Sequence, residues 1–155
     1  MAHSERSINQ AWVVLAGVGF MLVVAGGVDL ALGIYPLHFG TPAWELGAVG
    51  NLLNRLPMFV LGLTLLVGSS LAERRAGWSL FWAAVLLLMG ILVFVLALFV
   101  ATSVPLILAM APGGVQRFLV IKSIAKIAGQ TIIYFPAFCG VAIYAIRSSR
   151  RLKAR

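Results

Sequence analysis

The chain has 155 residues, of which 62% are hydrophobic and only 10% charged, and its net charge is +8. So apolar a composition excludes a soluble domain of this size and marks an integral membrane protein. The positive charge does not point to nucleic acid, because seven of the twelve basic residues lie in the Glu73–Arg75 loop and the tail from Arg147 to Arg155, as orientation signals do. The lone Cys139 excludes a disulfide framework and a thiol pair for metal, and reads as a small core residue.

After the polar opening MAHSERSINQ, an apolar run from Ala11 to Tyr35 is interrupted only by Asp29. Arg6 before it and Val23-Val24-Ala25 within it would suit a secretory leader. We read the run instead as retained transmembrane helix 1. Gly19, Gly26 and Gly33 recur at intervals of seven on the line of Trp12, which gives the helix one smooth face for close packing.

Residues 36–47 contain turn formers, Trp44 and Glu45 but no Lys or Arg, and read as a loop opposite the basic segments. Helix 2 follows at 48–71. Asn51, Asn54, Arg55, Gly62 and Ser69 fall within about 100° of arc on it. Pro57 removes one backbone donor, and a neighbouring helix or polar side chain must take up the carbonyl it frees.

The apolar run from Trp78 to Ala111 is too long for one crossing and too short for two, at about 20 residues per span. We assign the spanning part to 78–103, with a kink or break at Pro105 and a turn at Ala111-Pro112-Gly113-Gly114. Helix 4 is expected at 115–146, followed by the basic tail 147–155. Within it Lys122, Lys126 and Gln130 recur every fourth residue, within about 80° of arc and with Ser123 close by.

The expected architecture is all-α: a single domain, residues 1–155, folded as a four-transmembrane-helix bundle. The positive-inside rule puts both termini on the cytoplasmic side, with Trp12, Trp78 and Tyr144 at that interface and Tyr35 and Trp44 at the other. Counting about 20 residues from each cytoplasmic end brings Asp29, Arg55 and Lys126 to one level near the outer boundary. Together with Asn51 and Gln130 they form the expected polar intramembrane cluster, with Asp29 between Arg55 and Lys126.

The same count leaves parts of helices 3 and 4 beyond the outer interface. They would project as a hairpin whose helix 3 side, Phe99, Val104, Leu106, Ile107, Leu108 and Met110, carries no charge and suits partner docking. The alternative is a tilted helix 3, or one broken at Pro105 with its end lying in the interface.

The cluster favours a structural ion-pair network over a transport site, since no charged residue continues it through the cytoplasmic half of any helix. His3 and His38 lie near opposite ends of helix 1 and cannot share a metal or haem. No nucleophile–base pair, carboxylate pair or phosphate loop is present, so we read the chain as no enzyme. The tail residues Arg147, Arg150, Arg151, Lys153 and Arg155 suit anionic headgroups as well as orientation.

PAWELGAVGNLLNRLPMFVLGLTLL, Pro42 to Leu66, resembles small four-helix membrane proteins of the HpsJ-like type in cyanobacteria. The resemblance rests on Trp44, Arg55, Pro57, Leu61, Gly62 and Leu65. It implies a bacterial, or photosynthetic, membrane and no defined catalytic residues.

The expected function is that of a non-enzymatic accessory subunit packing against a larger bacterial membrane complex, photosynthetic or bioenergetic. The alternative is a small homo-oligomeric transporter or channel using Asp29, Arg55 and Lys126. A third option, a lipid-modifying enzyme, would have to use Glu45, His38 or Asp29. No cofactor is expected, and a bound lipid or pigment is left open.

Overall fold

The computed structural model describes residues 2–38, 40–110 and 113–153. They form four helices: α1 (Ala2–Ile34), α2 (Pro42–Ala72), α3 (Ala76–Met110) and α4 (Gly114–Lys153). Each contains a stretch long and apolar enough to cross a membrane.

Every helix is longer than the apolar pattern suggested, because the pattern marks where a helix is greasy rather than where it stops. No Gly or Pro occurs between Ala2 and Ala16 or between Val141 and Lys153, so α1 starts well before Ala11 and α4 carries most of the basic tail on its last turns. The expected loop 36–47 shrinks. Pro42 sits in the first turn of α2, where its fixed φ and missing N–H cost nothing, and Trp44 and Glu45 are therefore helical.

Pro105 does not break α3, which continues to Met110. In the turn before it, the hydroxyls of Thr102 and Ser103 both donate to the Phe99 carbonyl at 2.9 Å. The expected tip of the hairpin, at Ala111 and Pro112, lies outside the described residues, as do Met1, Phe39, Ala154 and Arg155.

α2 is the hub. It packs against α1, α3 and α4, and α3 packs against α4, whereas α1 touches α2 alone among the described residues. The core is correspondingly a three-helix one. Leu53, Leu56 and Leu63 of α2 meet Ala83, Leu86 and Val93 of α3 and Phe138, Ala142 and Ala145 of α4. Gly90 lets α3 approach α4, since a Cβ there would lie 3.2 Å from Cβ of the fully buried Phe138. Nearer the basic end the buried hydroxyls of Ser79 and Ser149 lie 2.9 Å apart, with Ser149 Oγ also 2.8 Å from the Ala145 carbonyl.

The glycine line of α1 is the seam to α2. A Cβ on Gly19 would lie 2.7 Å from the Gly62 carbonyl oxygen, and a Cβ on Gly62 would lie 2.7 Å from that of Gly19. The two backbones are in direct contact there, which only a glycine pair permits. Further along, Gly26 lies against Phe59 and Gly33 against Asn51.

The turns are closed by side chains and by one unusual backbone conformation. Two carbonyls at the C-terminus of α1 receive donors from α2: Trp44 Nε1 bonds Ile34 at 3.1 Å and Asn51 Nδ2 bonds Gly33 at 3.0 Å. At the other end of α2, Arg74 N donates to Leu71 O at 3.1 Å and Arg75 N to Ser70 O at 2.9 Å, with Arg74 at φ 56°. This is a Schellman closure with an arginine where glycine is usual.

Candidate functional site

Asn54 and Arg55 are neighbours in α2, so their side chains leave the helix about 100° apart. That angle divides the expected polar cluster in two. Arg55 Nη1 turns to α1 and pairs with Asp29 Oδ2 at 2.8 Å. Lys126 Nζ of α4 instead donates to Asn54 Oδ1 at 2.6 Å. The expected placement of Asp29 between Arg55 and Lys126 is therefore corrected: among the described residues α1 makes no contact with α4, and α2 stands between the two groups.

The Asp29–Arg55 pair is only half buried, with 46% of the Asp29 and 35% of the Arg55 side chain exposed. Asn51 belongs to the same side through its bond to Gly33. Gln130 belongs to the other: its Nε2 reaches the Leu53 carbonyl at 3.5 Å. That is the carbonyl four residues before Pro57, the one left without its helical donor. Asn54 is the residue whose role the arc calculation missed, since membership of a polar face does not say which neighbour each member meets.

Between α2 and α4 these groups line an open groove of about 340 Å³, formed by Leu46, Gly47, Gly50, Asn51, Asn54, Ser123, Lys126, Ile127 and Gln130. Gly47 and Gly50 leave its wall open, for a Cβ at either would meet nothing within 4 Å. The groove is polar and cationic. Among the described residues the ion pairs are Asp29–Arg55 and Glu73–Arg75, and no carboxylate reaches Lys126.

Of the expected docking residues, Phe99 and Leu106 are exposed and Val104 and Leu108 half-buried; the side chains of Ile107 and Met110 lie outside the described residues. The segment does not stand clear as a long hairpin. Because α2 begins at Pro42, its Glu45, Leu46 and Val49 line a small cavity together with Phe99, Val100, Ser103 and Leu106. About one turn of α3 extends past Leu106.

At the basic end Arg147, Arg150 and Arg151 are exposed on the helical continuation of α4, while the Lys153 side chain and Arg155 lie outside the described residues. Arg151 lines an open groove with Leu71, Tyr144, Ser148 and Leu152. Trp78, Phe81 and Trp82 form an aromatic cluster at the start of α3, with ring centroids 4.9 to 6.3 Å apart.

Groups able to hold a metal are missing among the described residues. His38 Nδ1 lies 2.9 Å from the Pro36 carbonyl, and Glu45 Oε1 accepts from the Gly40 amide at 3.2 Å, so both are tied into the α1–α2 turn. No family model matches the chain, and no curated protein or solved structure matches it either.

Proposed function

We propose that this chain is a multi-pass protein of a bacterial cytoplasmic or photosynthetic membrane, with both termini cytoplasmic, acting as a non-enzymatic accessory subunit of a larger membrane complex. The observation that supports this reading most is the placement of α1. It is fastened along one narrow glycine seam to α2 and leaves Val13, Val14, Met21 and Leu32 each more than 60% exposed. A helix held on one side by a single neighbour offers a broad apolar face for a partner, which a closed bundle does not.

The basic residues at the α2–α3 turn and along the end of α4 support the orientation, and the aromatic cluster Trp78, Phe81 and Trp82 suits the same interface.

A small homo-oligomeric transporter is the second reading, with the Lys126 groove as its mouth. Against it, the α2–α4 face turns apolar about two turns further on, at Leu61 and Ile133.

Extraction from native membrane in a polymer-bounded lipid disc, followed by native mass spectrometry, tests the accessory role. The expected result is co-purification with a larger membrane protein, lost when Met21 and Leu32 are replaced by Trp. A single species of monomer mass would overturn it.

A further inference from the structure

We infer that the α2–α4 groove is a headgroup site for an anionic phospholipid. The inference rests on the reading that the helices span a bilayer and is independent of the accessory role.

Lys126 is the charged group of the groove. Its ammonium has three donors, and the Asn54 amide oxygen takes one of them without cancelling any charge. Lys122, one turn away on the same stripe, is exposed and also lacks a carboxylate partner among the described residues. A phosphate seated between Gly47 and Gly50 on one wall and Ser123 on the other would neutralise that charge and accept from the remaining ammonium protons of Lys126 and from Asn54 Nδ2, whose amide oxygen alone is engaged by the lysine. A headgroup carrying its own ammonium would bring a further cation towards Lys122, so a net negative headgroup such as phosphatidylglycerol is preferred.

The surface below the groove identifies an amphiphile rather than a soluble anion. Seven residues on from Asn54, and so on nearly the same face of α2, Leu61 is 54% exposed; seven residues on from Lys126, Ile133 of α4 is 66% exposed. Gly68 of α2 and Gly140 of α4, further along the same two stripes, also face open space. An acyl chain can lie along this track while its phosphate stays at Lys126.

The depth agrees. Arg151 lies on the same line of α4 as Lys126, and the intervening residues span roughly 37 Å at 1.5 Å each. That falls between the thickness of the hydrocarbon core, ~30 Å, and that of the whole bilayer, ~40–45 Å. With Arg151 among the headgroups of one leaflet, Lys126 stands at the phosphates of the other.

Native mass spectrometry of the full chain, released from a neutral detergent, tests this with three probes: phosphatidylglycerol, phosphatidylcholine of the same acyl chains, and soluble glycerol phosphate. The expected result is a preference for phosphatidylglycerol that falls about fivefold in Lys126→Met, the equivalent of ~1 kcal/mol for one basic residue at the surface, and persists in Lys126→Arg. Gly50→Leu fills the groove without a clash at its Cβ and is expected to give the same loss in a protein of unchanged helix content. Equal retention of both lipids, retention unaffected by Lys126→Met and Gly50→Leu, or Lys126-dependent binding of glycerol phosphate as strong as that of the lipid would each overturn the assignment. Failure of the membrane reading itself would appear separately, as a chain that stays in solution without detergent.

Discussion

Gln130 Nε2 and the Leu53 carbonyl, 3.5 Å apart, join α4 to α2 at the one backbone acceptor that Pro57 deprives of its helical donor. In an apolar environment an unpaired carbonyl is costly, so a proline inside a membrane-type helix needs a donor from elsewhere. Gln130→Leu is expected to cost about 1 kcal/mol, the usual range for one neutral hydrogen bond. In a Pro57→Ala background, where the substitution restores the helical N–H, the same change should cost close to nothing. Thermal unfolding of the four proteins in one detergent checks this; equal losses in both backgrounds would refute the compensation.

The Gly19–Gly62 approach makes a sharp prediction because backbone meets backbone. A methyl at Gly19 lies 2.7 Å from the Gly62 oxygen and 3.0 Å from Leu65 Cβ, so the helices must separate to accept it. Gly19→Ala is expected to destabilise by about 1–3 kcal/mol, the usual overpacking range. Gly17→Ala has open space and should be neutral or slightly stabilising, since Ala is favoured over Gly in a helix by about 1 kcal/mol. The two melting temperatures, measured side by side, separate a seam from a general effect of replacing glycine.

Splitting the polar cluster across α2 changes which residues should be energetically coupled. Asp29→Asn and Arg55→Met are expected to show a coupling of about 1 kcal/mol, between the values for exposed and for buried pairs, because the pair is half exposed. Asp29→Asn and Lys126→Met should be additive, having no shared partner. A double-mutant cycle that coupled Asp29 to Lys126 instead would contradict the arrangement of the helices.

Arg74 holds a left-handed conformation, φ 56°, at the end of α2. For a residue with a Cβ this costs roughly 1–2 kcal/mol, which glycine avoids at some loss of unfolded-state entropy. Arg74→Gly should therefore raise stability by about 0.5–1 kcal/mol, a net figure below the full strain. Chemical denaturation reads this directly, with Arg75→Gly, whose φ is ordinary, as the destabilising control.

Composition and periodicity were enough for the all-α class, the four apolar helices and the seam of Gly19, Gly26 and Gly33, because each depends on a repeat along one helix. They also required a donor for the carbonyl that Pro57 frees, since backbone accounting is local. The helix ends were not legible. Apolar content stops at Gln10 and near Ile146, but helix propensity does not, so α1 and α4 run on through polar residues and α2 starts at a proline that the eye takes for a loop.

Which polar residues meet was decided only by the tertiary structure. An arc on α2 holds Asn51, Asn54 and Arg55 together, yet the 100° between Asn54 and Arg55 sends one to α4 and the other to α1. Because among the described residues α1 packs on α2 alone, Asp29 pairs across that seam and not with Lys126, and the lysine is left in an open groove without a counter-charge among those residues. A single helix's sequence records which side chains share a face. It does not record how many neighbours that face has, and here the difference is what separates a closed ion-pair network from an open cationic site.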